Sequence, residues 1–359
     1  MASITAFAMM SGFGAFLVAP MLDVRFSRRS YAIGFAILAA GSILAALLNL
    51  DDPGRLRWLL FAAIFGANLF QGAVGGWVGS LAPEQDKGRL GGWFVAGNIA
   101  GSGIAALLNI TLYRALPAPF GAIAIAAFVL LPLLSMIAIP APGPDRRLAS
   151  ESFRTFFREI GQMVRRPTVV RTMAIFAVPA GCFALTNMLA GLGRDFGASE
   201  YFVAAVAGIG VTIAGLAGSL GIPRITARIP AFRVYCAIAF SGALFTLSLL
   251  LLPRTPATFA LAMVGENIAQ AAAFATAAAI IFREIGEDNP LAATEFMVLH
   301  SFVVFPVFYM QYVDGRSYAR GHLTGALLTD GLLGLAGGVA ILSLLMTWPG
   351  GRRAPHGPA

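Results

Sequence analysis

The sequence predicts an all-α polytopic membrane protein of about 11 spans. Three observations carry that reading. Of the 359 residues, 58% are hydrophobic and only 12% charged, where a soluble domain is nearer half and a quarter. The apolar residues come in runs of about 20, enough for a helix to cross roughly 30 Å of hydrocarbon. The charge between those runs is lopsided: 24 of the 25 basic residues are arginine, and they sit in the connecting segments. In a soluble chain a net charge of +8 would suggest nucleic acid. Here it fixes topology and meets anionic headgroups.

The spans follow in order. Five lie at about 3–22, 31–50, 58–82, 91–113 and 119–140, and form an N-terminal bundle over 1–140. The first lacks a basic leader and runs straight into "PMLDVRFSRR", so it reads as a retained helix rather than a signal peptide. A polar stretch over 141–168 follows as a linker. Within it, "SFRTFFREIGQMV" puts Phe153, Phe156, Phe157, Ile160 and Met163 at helical spacing with Arg154 and Arg158 between them, the pattern of an interfacial amphipathic helix. Six more spans, at about 169–191, 201–222, 231–252, 256–282, 290–313 and 321–348, form a C-terminal bundle over 169–349. Residues 350–359 are a tail. Trp58, Trp93 and Trp348 fall near span ends, as an aromatic belt does. Cys182 and Cys236 lie inside apolar runs and imply no disulfide framework.

Of the 25 basic residues, 18 fall on one side of this arrangement, including the linker and the tail. That side is expected to be cytoplasmic, in a bacterial-type inner membrane.

An internal repeat is visible at an offset of 199 residues. "FGANLFQG" (65–72) and "VGENIAQA" (264–271) align Gly66 with Gly265, Asn68 with Asn267, and Gln71 with Gln270. The same offset aligns Arg25 with Arg224. Matching the halves leaves the first with five spans against six. The missing one precedes residue 1, either because the true start lies upstream or because the first span was lost.

Glu266 is the sharpest functional signal. It is about ten residues into its span, roughly 15 Å deep at 1.5 Å per residue. A charge there costs about 2.5 kcal/mol or more on insertion. Asn68 sits at the matching depth of the other half. Gln71 shares a helix face with Asn68, and Gln270 with Glu266. These residues are expected to line one cavity as substrate or coupling-ion contacts. His300, Glu295 and Asp330 are further candidates. The structural alternatives stay open: Asn and Gln as interhelical glue worth about 0.6–2 kcal/mol, Glu266 as a fixed pair, and His300 as a packed histidine.

Two six-helix halves joined by a linker resemble the major facilitator superfamily. "PMLDVRFSRRSY" (20–31) is similar to its signature between the second and third helices. The resemblance assigns Asp23, Arg25, Arg28 and Arg29 to a cytoplasmic gate. "PEQDKGRLGGW" (83–93) looks like the loop after the fourth helix. "QGAVGGW" (71–77) followed by that loop most resembles the muropeptide-permease-like branch of peptide, acetyl-coenzyme A and drug transporters, with glycines at 72, 75 and 76 where that branch carries aspartates. The resemblance implies two pseudo-two-fold helical bundles and secondary active transport of a small solute by alternating access, proton-coupled. The rival is a non-transporting scaffold or sensor, or an inactive paralogue. No metal-spaced or nucleophilic constellation marks an enzyme. No cofactor and no metal is expected. The expected partners are a small-molecule substrate and the lipid bilayer, without nucleic acid, and the chain is expected to act as a monomer.

Overall fold

The computed structural model describes residues 11–23, 26–137, 139 and 153–347. Arg25, residues 141–152 of the predicted linker, Trp348 and the tail lie outside them. The described residues are helical with irregular connections. Helix α1 (Ser11–Val18) runs into a 3-10 turn, Ala19–Asp23. Then come α2 (Arg28–Leu47), α3 (Pro53–Leu81), α4 (Lys87–Ala115), α5 (Ala118–Leu130), α6 (Phe153–Arg165) and α7 (Pro167–Phe176). A long α8 (Glu200–Thr226) follows. The chain closes with α9 (Ala231–Ser248), α10 (Pro256–Ile285) and α11 (Ala292–Thr347).

Local chemistry sets the ends. The Ser27 hydroxyl accepts from the Ser30 N–H and starts α2. Asp52 accepts from Gly54 and Arg55 at the head of α3, with Pro53 in the first turn, where a missing N–H does no harm. Among the described residues, seven helices are long and apolar enough to cross a membrane. One of them, α11, is 56 residues long, far more than a single crossing needs. It breaks at Gly321 and His322, where His322 takes a left-handed φ of 49°. That break separates the two last predicted spans. Large apolar side chains such as Ile37, Leu38, Ile213 and Leu244 remain exposed along these helices, the surface that lipid covers.

The predicted span 169–191 is not one helix. α7 stops at Phe176, and the backbone then passes irregularly to Leu185, with Phe183 at φ 45°. A helical turn, Thr186–Leu189, and a 3-10 stretch, Ala190–Phe196, follow. Glycine and proline in "VPAGCF" weaken the helix there.

The chain forms two compact units. The first comprises Met1–Leu90, Gly97–Gln162 and Ile281–Ser301. The second comprises Gly91–Ala96, Met163–Ile280 and Phe302–Ala359. In the first, glycines on one face of α3 let the segment 281–301 press against its backbone. A Cβ at Gly75 would lie 2.6 Å from the Phe296 ring, one at Gly79 2.7 Å from Phe282, and one at Gly76 against the backbone of Ala293. Aspartates at 72, 75 and 76 would not fit there. In the second unit the main apolar core gathers Leu185, Leu189, Phe196, Phe259, Met263 and Leu327.

The repeated motif repeats its local structure as well. Gly66 packs against the α2 backbone at Phe35 and Ala39, and Gly265 against Phe245 of α9. Asn68 donates to the Ile64 carbonyl at 3.0 Å, and Asn267 to the Met263 carbonyl at 2.7 Å. Each pair differs by the same 199 residues.

Gly76→Ala forces a methyl group into the Ala293 backbone and is expected to destabilise the protein by about 1–3 kcal/mol. Gly97→Ala, inside α4 where nothing lies within 4 Å, should cost no stability and add up to about 1 kcal/mol through helix propensity. Apparent melting temperatures in detergent check both, and equal values would refute the packing argument.

Candidate functional site

Two polar constellations stand out, one in each unit. In the first, Asp23, at the end of the 3-10 turn that follows α1, is 4% exposed. Its Oδ1 accepts from Arg28 Nε at 2.8 Å and from the Ala293 N–H at 3.2 Å. Its Oδ2 accepts from the Thr294 N–H at 2.7 Å and the Thr294 hydroxyl at 2.6 Å. These N–H groups belong to the first turn of α11, which has no intrahelical acceptor for them. Asp23 therefore caps a helix 270 residues away in sequence, and its charge meets the positive end of the helix dipole. Arg28 extends the contact: Nη2 donates to the carbonyls of Asn289 at 2.8 Å and Pro290 at 3.0 Å, and Nη1 donates to Ser80 at 3.2 Å. Asn289 in turn donates to Glu295 Oε2 at 2.8 Å. Beside it, the fully buried Lys87 pairs with Glu84 at 3.3 Å, and Glu84 also lies 3.8 Å from Arg283.

Asp23 and Arg28 thus sit in one network. Arg29 is half-buried at the head of α2. Glu295 belongs to the same network through Asn289. His300 stacks on Phe296 with ring centroids 5.5 Å apart. Asn68 bonds its own helix, and Gln71 is half-buried.

The second constellation surrounds Glu266. Its helix, α10, is the most enclosed of the long apolar helices among the described residues. Glu266 is 0% exposed. Its Oε1 contacts the Thr246 hydroxyl of α9, and its Oε2 has no hydrogen-bond partner among the described residues. Thr246 also reaches the Gly242 carbonyl at 3.1 Å. A hydroxyl has a single proton to donate. Thr246 donates to Glu266 Oε1 and shares that proton with the Gly242 carbonyl.

One turn on, Gln270 Nε2 lies 3.1 Å from the carbonyls of both Cys182 and Phe183 and 2.9 Å from the Thr186 hydroxyl. It ties down the broken segment after α7. Asn267 bonds its own helix. Asp330, 7% exposed, lies in the same unit beside a carboxyl missing from the sequence reading, Asp314, which is fully buried. The sequence also gave no sign of Ser80, Asn289, Thr294 or Thr246. Each is an unremarkable polar residue until the fold supplies its partner.

A helical membrane protein with buried carboxyls and broken helices has the construction of a secondary transporter. The family model for the Major Facilitator Superfamily matches residues 2–304, and the chain belongs to that superfamily. Solved structures with the same fold include the proton:xylose symporter XylE bound to 6-bromo-6-deoxy-D-glucose, at 14% identity, covering 96% of this chain and 88% of that one, with TM-score 0.70. The E. coli fucose:proton symporter FucP matches at 15% identity over 95% of this chain and 94% of that one, TM-score 0.67. A bacterial homologue of the iron transporter ferroportin, in an outward-facing state with soaked iron, matches at 14% identity over 98% and 91%, TM-score 0.66. A comparison with curated protein sequences gives no match.

Asp23→Asn keeps the side-chain shape but loses the charge that holds Arg28 and the α11 cap. Charge-assisted hydrogen bonds of this kind contribute about 1.5–3 kcal/mol each. A Ser80→Cys reporter is selective because both native cysteines are buried. Its alkylation is expected to quicken several-fold in the Asp23→Asn background while the protein stays folded. An unchanged rate would show that the network does not hold this end closed.

Proposed function

We propose that this protein is a secondary active transporter of a small solute, working by alternating access and coupled to protons through Glu266. The observation that carries the proposal is the state of that side chain. Glu266 is fully buried in the most enclosed apolar helix, has one oxygen on Thr246 and the other unpartnered, and forms no ion pair among the described residues. A permanent structural carboxylate would be matched by a cation or by several donors. A carboxyl that is neutral when buried and charged when exposed needs neither.

The superfamily and the symporter neighbours support the transporter class. The arginine-rich end, with the Asp23 network, is read as the cytoplasmic side. That network would have to open when the substrate path faces the cytoplasm, with 141–168 as the link between the repeats.

The test is uptake into proteoliposomes of a panel of radiolabelled sugars, short peptides and organic cations, with and without a pH gradient. Glu266→Gln preserves shape and hydrogen bonding but cannot ionise. It is expected to exchange solute at equilibrium yet lose gradient-driven accumulation down to the level without a gradient. Wild-type accumulation in Glu266→Gln would remove the coupling role.

A further inference from the structure

α11 carries one aspartate on each side of its break. Asp314 lies before Gly321 and Asp330 after His322, each about two turns from the break. A Cβ at Gly325 would lie 2.5 Å from the Ser317 carbonyl, so the two arms run close together beyond the break. The two carboxyls lie near enough to interact, and Glu266 of α10 lies within electrostatic range of both. The thiol of Cys182, from the broken segment after α7, completes the ionisable surroundings.

Asp314 is 0% exposed, and neither of its oxygens has a donor among the described residues. Arg316, two residues away on the same helix, lies over the Tyr312 ring at 4.7 Å. The described ion pairs all lie elsewhere in the chain. No group of described His, Cys, Asp or Glu residues could hold a metal ion.

Two ionised carboxylates facing each other under cover repel by about 4 kcal/mol at 4 Å, even at an effective dielectric of 20. Among the described residues no donor reaches Asp314 to offset this. A proton on either one removes the repulsion. The geometry points to Asp314 and Asp330 as a second proton-carrying site, a carboxyl pair that shares one proton and loads and unloads it in concert with Glu266. The step balances simply: the ionised pair plus one proton from water gives the singly protonated pair, and release reverses it. The inference rests on the transporter reading of Glu266 and deepens it, because the coupled charge then exceeds one proton.

The experiment is a pH titration of the full-length protein in liposomes, read by the infrared band of protonated carboxyls. Glu266→Gln assigns the Glu266 component. In the wild type, protonated-carboxyl absorbance should disappear in more than one step. Asp314→Asn should remove one step and displace the midpoint of a remaining one by about one pH unit or more, the mark of interacting sites. If Asp314→Asn fails to fold, Asp330→Asn reads the same pair from its other member, and the wild-type titration alone shows whether the pair releases a proton.

A band that persists unchanged from mildly acidic to strongly alkaline pH would make the pair a fixed structural bond and overturn the proposal. Unmoved midpoints in the aspartate variants would do the same. Proton release on adding tetraphenylphosphonium at constant pH, lost in Asp314→Asn, would make the pair a cation site instead. Loss of driven uptake in Glu266→Gln with independent titration of Asp330 would overturn the pair and leave the transporter reading. Coupled titration with gradient-independent uptake would leave the pair and remove that reading.

Discussion

Hydrocarbon offers no hydrogen bonds, so every backbone polar group at membrane depth must find a partner inside the protein. That constraint makes the chain helical. It also decides where helices are allowed to break. After α7 the irregular backbone turns the Cys182 carbonyl and the Phe183 carbonyl toward Gln270, which donates toward both, while Phe183 also accepts from the N–H and hydroxyl of Thr186. Between α10 and α11 the connection leaves carbonyls at Asn289 and Pro290 and N–H groups at Ala293 and Thr294. Arg28 takes the former and Asp23 the latter. Each break is closed by a side chain from a distant helix, so each closure is also a tertiary contact that can be made or released. A cap supplied locally, like Asp52 on α3, stabilises a helix and nothing more. A cap supplied by Asp23 ties the start of α11 to the turn that follows α1.

Glycine has a complementary part. On α3 the glycines at 72, 75, 76 and 79 are filled by Met297, Phe296, Ala293 and Phe282. They form a smooth track on which the segment 281–301 rests, directly beside the Asp23 and Arg28 contacts. Close packing and polar capping therefore act on the same joint. Loss of either loosens the other, because the cap needs the N–H groups of Ala293 and Thr294 at hydrogen-bonding distance and the glycine track sets that distance.

Much of this was legible in the sequence, for physical reasons that differ from element to element. Apolar runs of crossing length announce themselves, because hydropathy is a local property. Glu266 stood out because an acidic residue inside such a run is rare. The equivalence of Asn68 and Asn267 was visible as a repeat, and the structure gives both the same bond one turn back, to a carbonyl of their own helix. The continuous helix expected over 169–191 was not there. Its glycine and proline were in plain sight, but the donor that Gln270 brings to the broken segment comes from 88 residues away.

Asp314 shows where local reading fails. It falls one residue beyond the predicted span 290–313, close to Arg316 and Arg320, and a carboxylate in such company reads as a solvated loop residue. The helix in fact continues past it to the break at Gly321, which carries Asp314 under cover, while Arg316 turns to Tyr312. Whether an acidic residue is a loop charge or a buried proton carrier then depends on one turn of helix. Sequence boundaries carry an error of that size. The same turn of helix decides whether Glu266 is a lone carboxyl or one of three, and a lone buried carboxyl and a coupled set take up protons in different ways.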